Sequence, residues 1–256
     1  MRALLLIAVF ALLAATSRAE SSLLSDVPAA FGGCDAVVYD ASGKAVGRAR
    51  LEMREDPDGF VRLAIETHLH TGEVQSLRAE LEPSPGGRKL VLASQQTRTL
   101  GRDGELIVGM RVDHRRRRAV CTDAERGEVS LDLPARESIA NVPLNLVLLP
   151  VARGSIPKAR FQFLLCRGEP RVLDASAALA RRLEGIPGHP GIAEIHYSFE
   201  VGGVLSSLIR PFLPTLVFWL DPQARIPWLG HRMPLFPRGP RVTVLREGIA
   251  LAQVSR

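Results

Sequence analysis

Two stretches in the first half of the chain set its rhythm. Over residues 45–54, Ala45, Gly47, Ala49, Leu51 and Met53 fall on one side, while Val46, Arg48, Arg50, Glu52 and Arg54 fall on the other. Over residues 61–70, Val61, Leu63, Ile65, Thr67 and Leu69 oppose Arg62, Ala64, Glu66, His68 and His70. Successive side chains of a strand point to opposite faces, so each stretch predicts a strand with one dry and one wet face. Between them, Glu55-Asp56-Pro57-Asp58-Gly59 supplies the proline and glycine of a tight reversal. The same rhythm recurs over residues 73–81, 89–99, 105–113, 119–122 and 128–133, separated by segments rich in Pro, Gly and Asp. Short strands punctuated by turns predict an antiparallel meander.

The second half is less regular. Residues 141–151 are apolar without period two, and Pro143 and Pro150 preclude a long helix there. Residues 160–166 read as a strand. Asp174 is placed to cap a short helix running through Leu183 and stopped by Gly185. Alternation returns at residues 192–201, with Ala193, Ile195, Tyr197, Phe199 and Val201 on one side, and strands over 215–220 and 241–246 complete the pattern. Between these, Val204, Leu205, Leu208, Ile209, Phe212 and Leu213 recur at helical spacing. That stripe packs on its own domain or acts as a cover or membrane-touching element. Arg210, Pro211 and Pro214 break residues 201–220 as a membrane span.

The first nineteen residues change the picture. Arg2 precedes an apolar run from Ala3 to Ala15, and Ser17-Arg18-Ala19 offers small residues for cleavage, the layout of a secretory signal peptide. The run is shorter than the roughly 20 apolar residues that span a bilayer. The expected organisation is a signal peptide over residues 1–19 and a single β-rich domain over 20–256, periplasmic or secreted. Lys and Arg total 33 against 27 Asp and Glu, and Arg2 and Arg18 leave with the leader. The remaining excess of about +4 permits peripheral contact with an anionic membrane surface but names no partner. Of the cysteines Cys34, Cys121 and Cys166, two can pair in an oxidising compartment; their positions on strands decide which.

Little in the chain carries catalytic chemistry. Glu66, His68 and His70 share a strand face, with His196 on another polar face, and would suit a metal only if they converged. A wet face needs polar residues in any case, and no metal or other cofactor is expected. His114-Arg115-Arg116-Arg117-Arg118 falls between two strands, where a solvated turn belongs. Without interleaved aromatics it predicts no nucleic-acid binding. Gly-x-Ser-x-Gly is absent, Ser206-Ser207 lacks flanking elbow glycines, and Gly43-Lys44 lacks the rest of a phosphate loop.

The segment Phe218-Trp219-Leu220-Asp221-Pro222-Gln223-Ala224-Arg225-Ile226-Pro227 resembles the closing signature of the exported bacterial family called domain of unknown function 3108. Val38-Tyr39-Asp40 with Gly43-Lys44-x-Val46-Gly47-x-Ala49-x-Leu51 is similar to that family's opening strand pair, and Pro143 to Pro150 to its mid-chain segment. Residues 172–190 and 228–240 depart from it. The resemblance implies a periplasmic sheet of the half-barrel kind that carries apolar cargo, and supplies no catalytic residues. The expected fold is therefore mainly β, a curved antiparallel sheet or half-barrel with one or two short helices. The expected function is a cell-envelope protein, not an enzyme, that binds a lipid-like or apolar ligand. Trp219, Trp228, Leu208 and Phe212 are the candidate binding residues. A structural or assembly protein contacting another envelope component is the second reading, and a hydrolase the third.

Overall fold

The computed structural model describes residues 24–26, 31–84, 89–133, 139–184, 186–200, 216–236 and 239–254. The first nine strands are β1 (Leu24–Asp26), β2 (Gly32–Tyr39), β3 (Ala45–Glu55), β4 (Val61–Leu69), β5 (Val74–Pro83), β6 (Lys89–Leu100), β7 (Leu106–Asp113), β8 (Arg118–Asp123) and β9 (Gly127–Asp132). Two short helices follow, α1 (Leu144–Val147) and α2 (Leu149–Arg153). The chain then returns to strands: β10 (Lys158–Leu165), β11 (Arg171–Leu183), β12 (Ile192–Glu200), β13 (Leu216–Leu220), β14 (Trp228–Pro234) and β15 (Arg241–Arg246). A last turn of helix, α3 (Leu251–Val254), follows β15, and the fold is mainly β with only short helical pieces, as expected. No helix among the described residues is long and apolar enough to cross a membrane.

The sheet is two meanders spliced together. Strands β2 to β9 pair in chain order, β10 to β15 do the same, and β15 pairs antiparallel with β2. The result is one antiparallel path of fourteen strands, with β1 added beside β6. The alternation in sequence becomes the two faces directly. Gly47, Ala49, Leu51 and Met53 of β3 are buried, and the arginines between them are exposed. Leu51 lies opposite Ile65, and Met53 opposite Leu63. The reversal between these strands closes where predicted, with the Asp56 N–H donating to the Phe60 carbonyl at 2.8 Å and Gly59 at φ 79°.

The two edges of this path, β9 and β10, are brought together without a ladder between them among the described residues. Cys121 on β8 is bonded to Cys166 just beyond β10, which settles the pairing that the sequence left open. The Gly168 N–H donates to the Asp123 carboxylate at 2.9 Å, and Ile139 forms a single parallel bridge with Gln162. The sheet is thus an unclosed barrel with a seam. Residues 139–142 run through that seam, held by the buried Gln95 of β6. Its amide nitrogen donates to the Ile139 carbonyl at 2.8 Å, and its oxygen accepts the N–H groups of Asn141 and Val142 at 2.9 and 2.8 Å. The Asn141 side chain exchanges two hydrogen bonds with the backbone of Leu164. A buried glutamine with its groups used in this way costs little and fixes the path of the segment.

Inward residues of both meanders, among them Leu51, Leu63, Leu81, Ile195, Phe218 and Trp228, form one core with Leu146, Leu148 and Leu149 of the helical segment. Each large aliphatic side chain buried there contributes roughly 1.5–3 kcal/mol. Pro143 precedes α1 and Pro150 stands in the first turn of α2, so the apolar segment forms two short helices and not a long one, as its prolines predict. A smaller cluster of Ile192, Val217, Trp219, Leu229 and Leu245 lies on the opposite face and is covered by Ile249 and Val254. Strand β13 is consequently buried on both sides, which is why it reads as an uninterrupted apolar run.

One expected element is overturned. Residues 171–183 form strand β11, not a helix capped by Asp174. The Asp174 carboxylate instead accepts the Gln162 side-chain amide across the ladder at 3.1 Å. Ala175 and Ala177 are buried, and in register they face Phe161, Phe199 and Tyr197 of the flanking strands. Small residues there leave room for the rings. The two-sided ladder overrides the helical propensity of the alanines.

Candidate functional site

One end of the barrel encloses a cavity of about 430 Å³. Its walls are Leu77, Thr97 and Thr99 of β5 and β6, Val108 and Met110 of β7, Phe163 of β10, and Tyr197 and Phe199 of β12. The turn between β14 and β15 adds Leu235 and Phe236, and that between β10 and β11 adds Arg167 to Glu169. Arg126, Glu169 and Arg171 at its boundary are exposed, so the cavity reaches solvent on that side. The walls are mostly apolar because inward positions of all these strands carry the dry half of the alternation.

Local contacts fix this geometry. Tyr197 sits at the centre of a ring cluster, with centroids of Phe199, Phe161 and Phe218 at 5.6, 5.7 and 6.2 Å. Burial pushes its phenol far above the ordinary value, and its hydroxyl has no partner among the described residues. The Gln75 side-chain amide donates to the Leu235 carbonyl, tying the β14–β15 turn across to β5. The Arg167 guanidinium lies 5.8 Å from the centre of the Phe236 ring, tying the same turn to the one after β10.

The residues singled out from the sequence lie elsewhere. Trp219 faces away from the cavity, 1% exposed, with its indole N–H donating to Glu194 at 3.0 Å and Arg232 over its ring at 5.4 Å. Trp228 is also 1% exposed and packs in the main core, 5.7 Å from the His231 ring. Neither is among the residues that line this cavity; their large faces are spent on core packing. Leu208 and Phe212, with the rest of the stripe from Val204 to Leu213 and the serines Ser206 and Ser207, lie outside the described residues. So does the expected signal peptide.

The chemical candidates are also separated. Glu66 and His68 pair at 2.9 Å on the exposed face of β4, whereas His196 bonds Glu194 at 2.8 Å on β12. Among the described residues no group of three or more His, Cys, Asp or Glu side chains is placed to hold a metal. The basic turn of residues 114–118 is solvated, and its arginines are occupied locally. Arg115 reaches Glu82 at 2.7 Å, Arg116 reaches Asp113 at 3.7 Å, Arg117 donates to the Leu133 carbonyl, and Arg118 to Ser130. His114 turns inward instead, its ring Nε2 accepting from the Gln95 amide nitrogen at 2.9 Å, and burial lowers its pKa to about 4.

Two buried carboxylates were not anticipated. Asp221 pairs with His189 at 2.7 Å, joining the turns before β12 and after β13. No nucleophilic side chain among the described residues is bonded to that histidine. Burial of Glu194 raises its pKa, but hydrogen bonds from Arg181, Trp219 and His196 outweigh this and hold it below the ordinary carboxylate range. Both are structural ties on strands and turns away from the cavity. The cavity walls themselves carried no sequence signal beyond alternation, since which inward side chains leave space depends on how the sheet curls.

An unclosed antiparallel barrel around an apolar cavity is therefore the class of protein that fold and site define. No protein-family model and no curated protein matches the sequence. Among solved structures the chain is similar to a β-barrel-like protein of domain of unknown function 1849 from Brucella abortus. The TM-score is 0.50 at 11% identity, over 86% of this chain and 97% of that one. At that identity the likeness concerns the fold alone, a β-rich domain of barrel-like form.

Proposed function

We propose that the protein is an exported cell-envelope component that holds a lipid-like molecule in the barrel cavity. The observation that carries this reading is the cavity itself. Its volume falls within the roughly 300–1,000 Å³ of small-molecule sites, and its walls are apolar with a few polar groups. Burial of an acyl chain there would contribute about 0.8 kcal/mol per methylene. Export is supported by the leader-like first nineteen residues and by the Cys121–Cys166 bond, which persists in oxidising compartments. The resemblance to domain of unknown function 3108 points the same way. Intact mass of material recovered from outside the cytoplasm should begin at Glu20.

Binding is tested by displacement of a fluorescent apolar probe from delipidated protein, with Leu77→Trp as the blocked variant. Leu77 is half-buried and lines the cavity, so a larger ring there fills space without entering the packed core. Saturable binding by the parent, weakened at least tenfold in Leu77→Trp at unchanged melting temperature, is expected. Absence of binding in the parent at tens of micromolar would leave the protein a scaffold.

A further inference from the structure

The charged residues of the cavity boundary all lie at one end. Arg126 stands in the turn after β8, Arg167 and Glu169 in the turn after β10, and Arg171 at the start of β11. Among the side chains that line the cavity three cations stand against one anion, with Glu125 and Asp123 beside them outside the lining, and the rest of the wall is uncharged. We infer that the occupant is an anionic single-chain amphiphile, its carboxylate or phosphate held by these arginines and its chain directed inward along Phe163, Phe199 and Met110. This rests on the reading of the cavity as an apolar-ligand site.

Three observations support the assignment. The two turns are held side by side by the Cys121–Cys166 bond and by the Gly168 N–H on Asp123, so the arginines are presented from a fixed frame. Arg167 is only 28% exposed at its side chain and is steadied over Phe236, which places a partly desolvated guanidinium against the apolar wall. Arg126 makes no ion pair among the described residues. The pairs formed by the others are long, Arg167 to Glu125 at 3.7 Å and Arg171 to Glu169 at 3.8 Å, and three of these four side chains are largely exposed. Such pairs stabilise little and yield readily to a better acceptor. A guanidinium offers paired N–H donors that match the two oxygens of a carboxylate or phosphate, and a lipid alcohol or hydrocarbon would leave them unused.

The test compares dodecanoate, dodecyl phosphate and dodecanol as displacers of the same fluorescent probe, at low and at raised salt. Either anion should bind at least tenfold tighter than the alcohol, as expected for one or two hydrogen bonds to a charged group. The tighter of the two identifies the headgroup. In Arg126→Gln/Arg171→Gln that advantage should shrink to under threefold while dodecanol binding is unchanged; both residues are exposed, so the fold is preserved. Arg126→Glu should weaken the anions further, and salt should narrow the gap in the parent. Equal binding of all three ligands, or an advantage that survives both substitutions, would overturn the headgroup assignment and leave the apolar site standing. If none of the three displaces the probe, the cavity reading itself fails.

Discussion

Among single residues, His231 shows how the interior differs from the surface. It points into the barrel between Phe218 and Trp228, with ring centroids at 5.5 and 5.7 Å, and burial lowers its pKa from 6.5 to about 4. His114, bonded to Gln95 at the seam, is lowered to about 4 for the same reason, against a small opposing pull from Asp113. A base whose folded pKa is depressed binds its proton more readily in the unfolded chain. Stability therefore falls as pH drops from about 6.5 towards 4 and is flat, from these groups, above neutrality. Melting temperature followed from pH 7.5 to 4 should decline through that window. His231→Phe, which keeps a ring but no titrating nitrogen, should flatten part of the decline. An unchanged slope would mean that His231 is protonated without cost inside the barrel. None of this was visible in the sequence, where His231 sits in an irregular proline-rich segment with no sign of facing inward. Glu66 and His68, by contrast, looked like a solvated face and are one.

For the individual elements, legibility followed the source of each strand's stability. β3 and β4 pair with neighbours in chain order and keep one wet face, so their alternation alone gave faces, turn and partners. β11 was misread because its small, helix-favouring residues are there to accommodate rings on β10 and β12, a requirement that only the assembled sheet imposes. β14 was obscured for a related reason. Gly230 breaks its pattern because the neighbouring strand passes close by. A Cβ at that position would sit 2.3 Å from the Val244 carbonyl oxygen and 2.7 Å from a Leu245 methyl. Gly230→Ala should therefore force the β14–β15 pair apart and cost about 1–3 kcal/mol in urea unfolding. Gly191→Ala is the matched control, since nothing lies within 4 Å of its added methyl and its φ is not in the left-handed region. It should stay within about 0.5 kcal/mol of the parent. Equal effects of the two would show that the close approach at Gly230 is relieved without strain.

The whole molecule depends on how an open sheet keeps its shape. A fourteen-strand path whose first and last strands do not pair among the described residues has no ladder there to hold it curled, and the apolar cavity exists only while it stays curled. Three devices meet at the seam: the Cys121–Cys166 bond, the Gln95 anchor on residues 139–142, and the Asp123 carboxylate on Gly168. Backbone N–H donation from Gly168 and Glu125 holds the Asp123 pKa below the usual range, so this tie is charged at neutral pH. The sequence named the three cysteines but not the pair, because closure brings together strands forty-five residues apart through the curvature of everything between them. A loop of that length closed in the unfolded chain corresponds to about 4 kcal/mol in the chain-entropy model. Cys121→Ser/Cys166→Ser should lose stability of that order. The local consequence is more specific. Cys166 lines the cavity beside Arg167, so opening the seam should loosen residues 139–142 and the turns that carry Arg126 and Arg167. Hydrogen exchange in the double variant should rise first at Asn141, Val142 and Gly168, with β3 and β4 protected as before. Probe binding should weaken before global unfolding begins. If exchange instead rises evenly across all strands, the bond acts only on the unfolded chain and the seam is held by its hydrogen bonds alone.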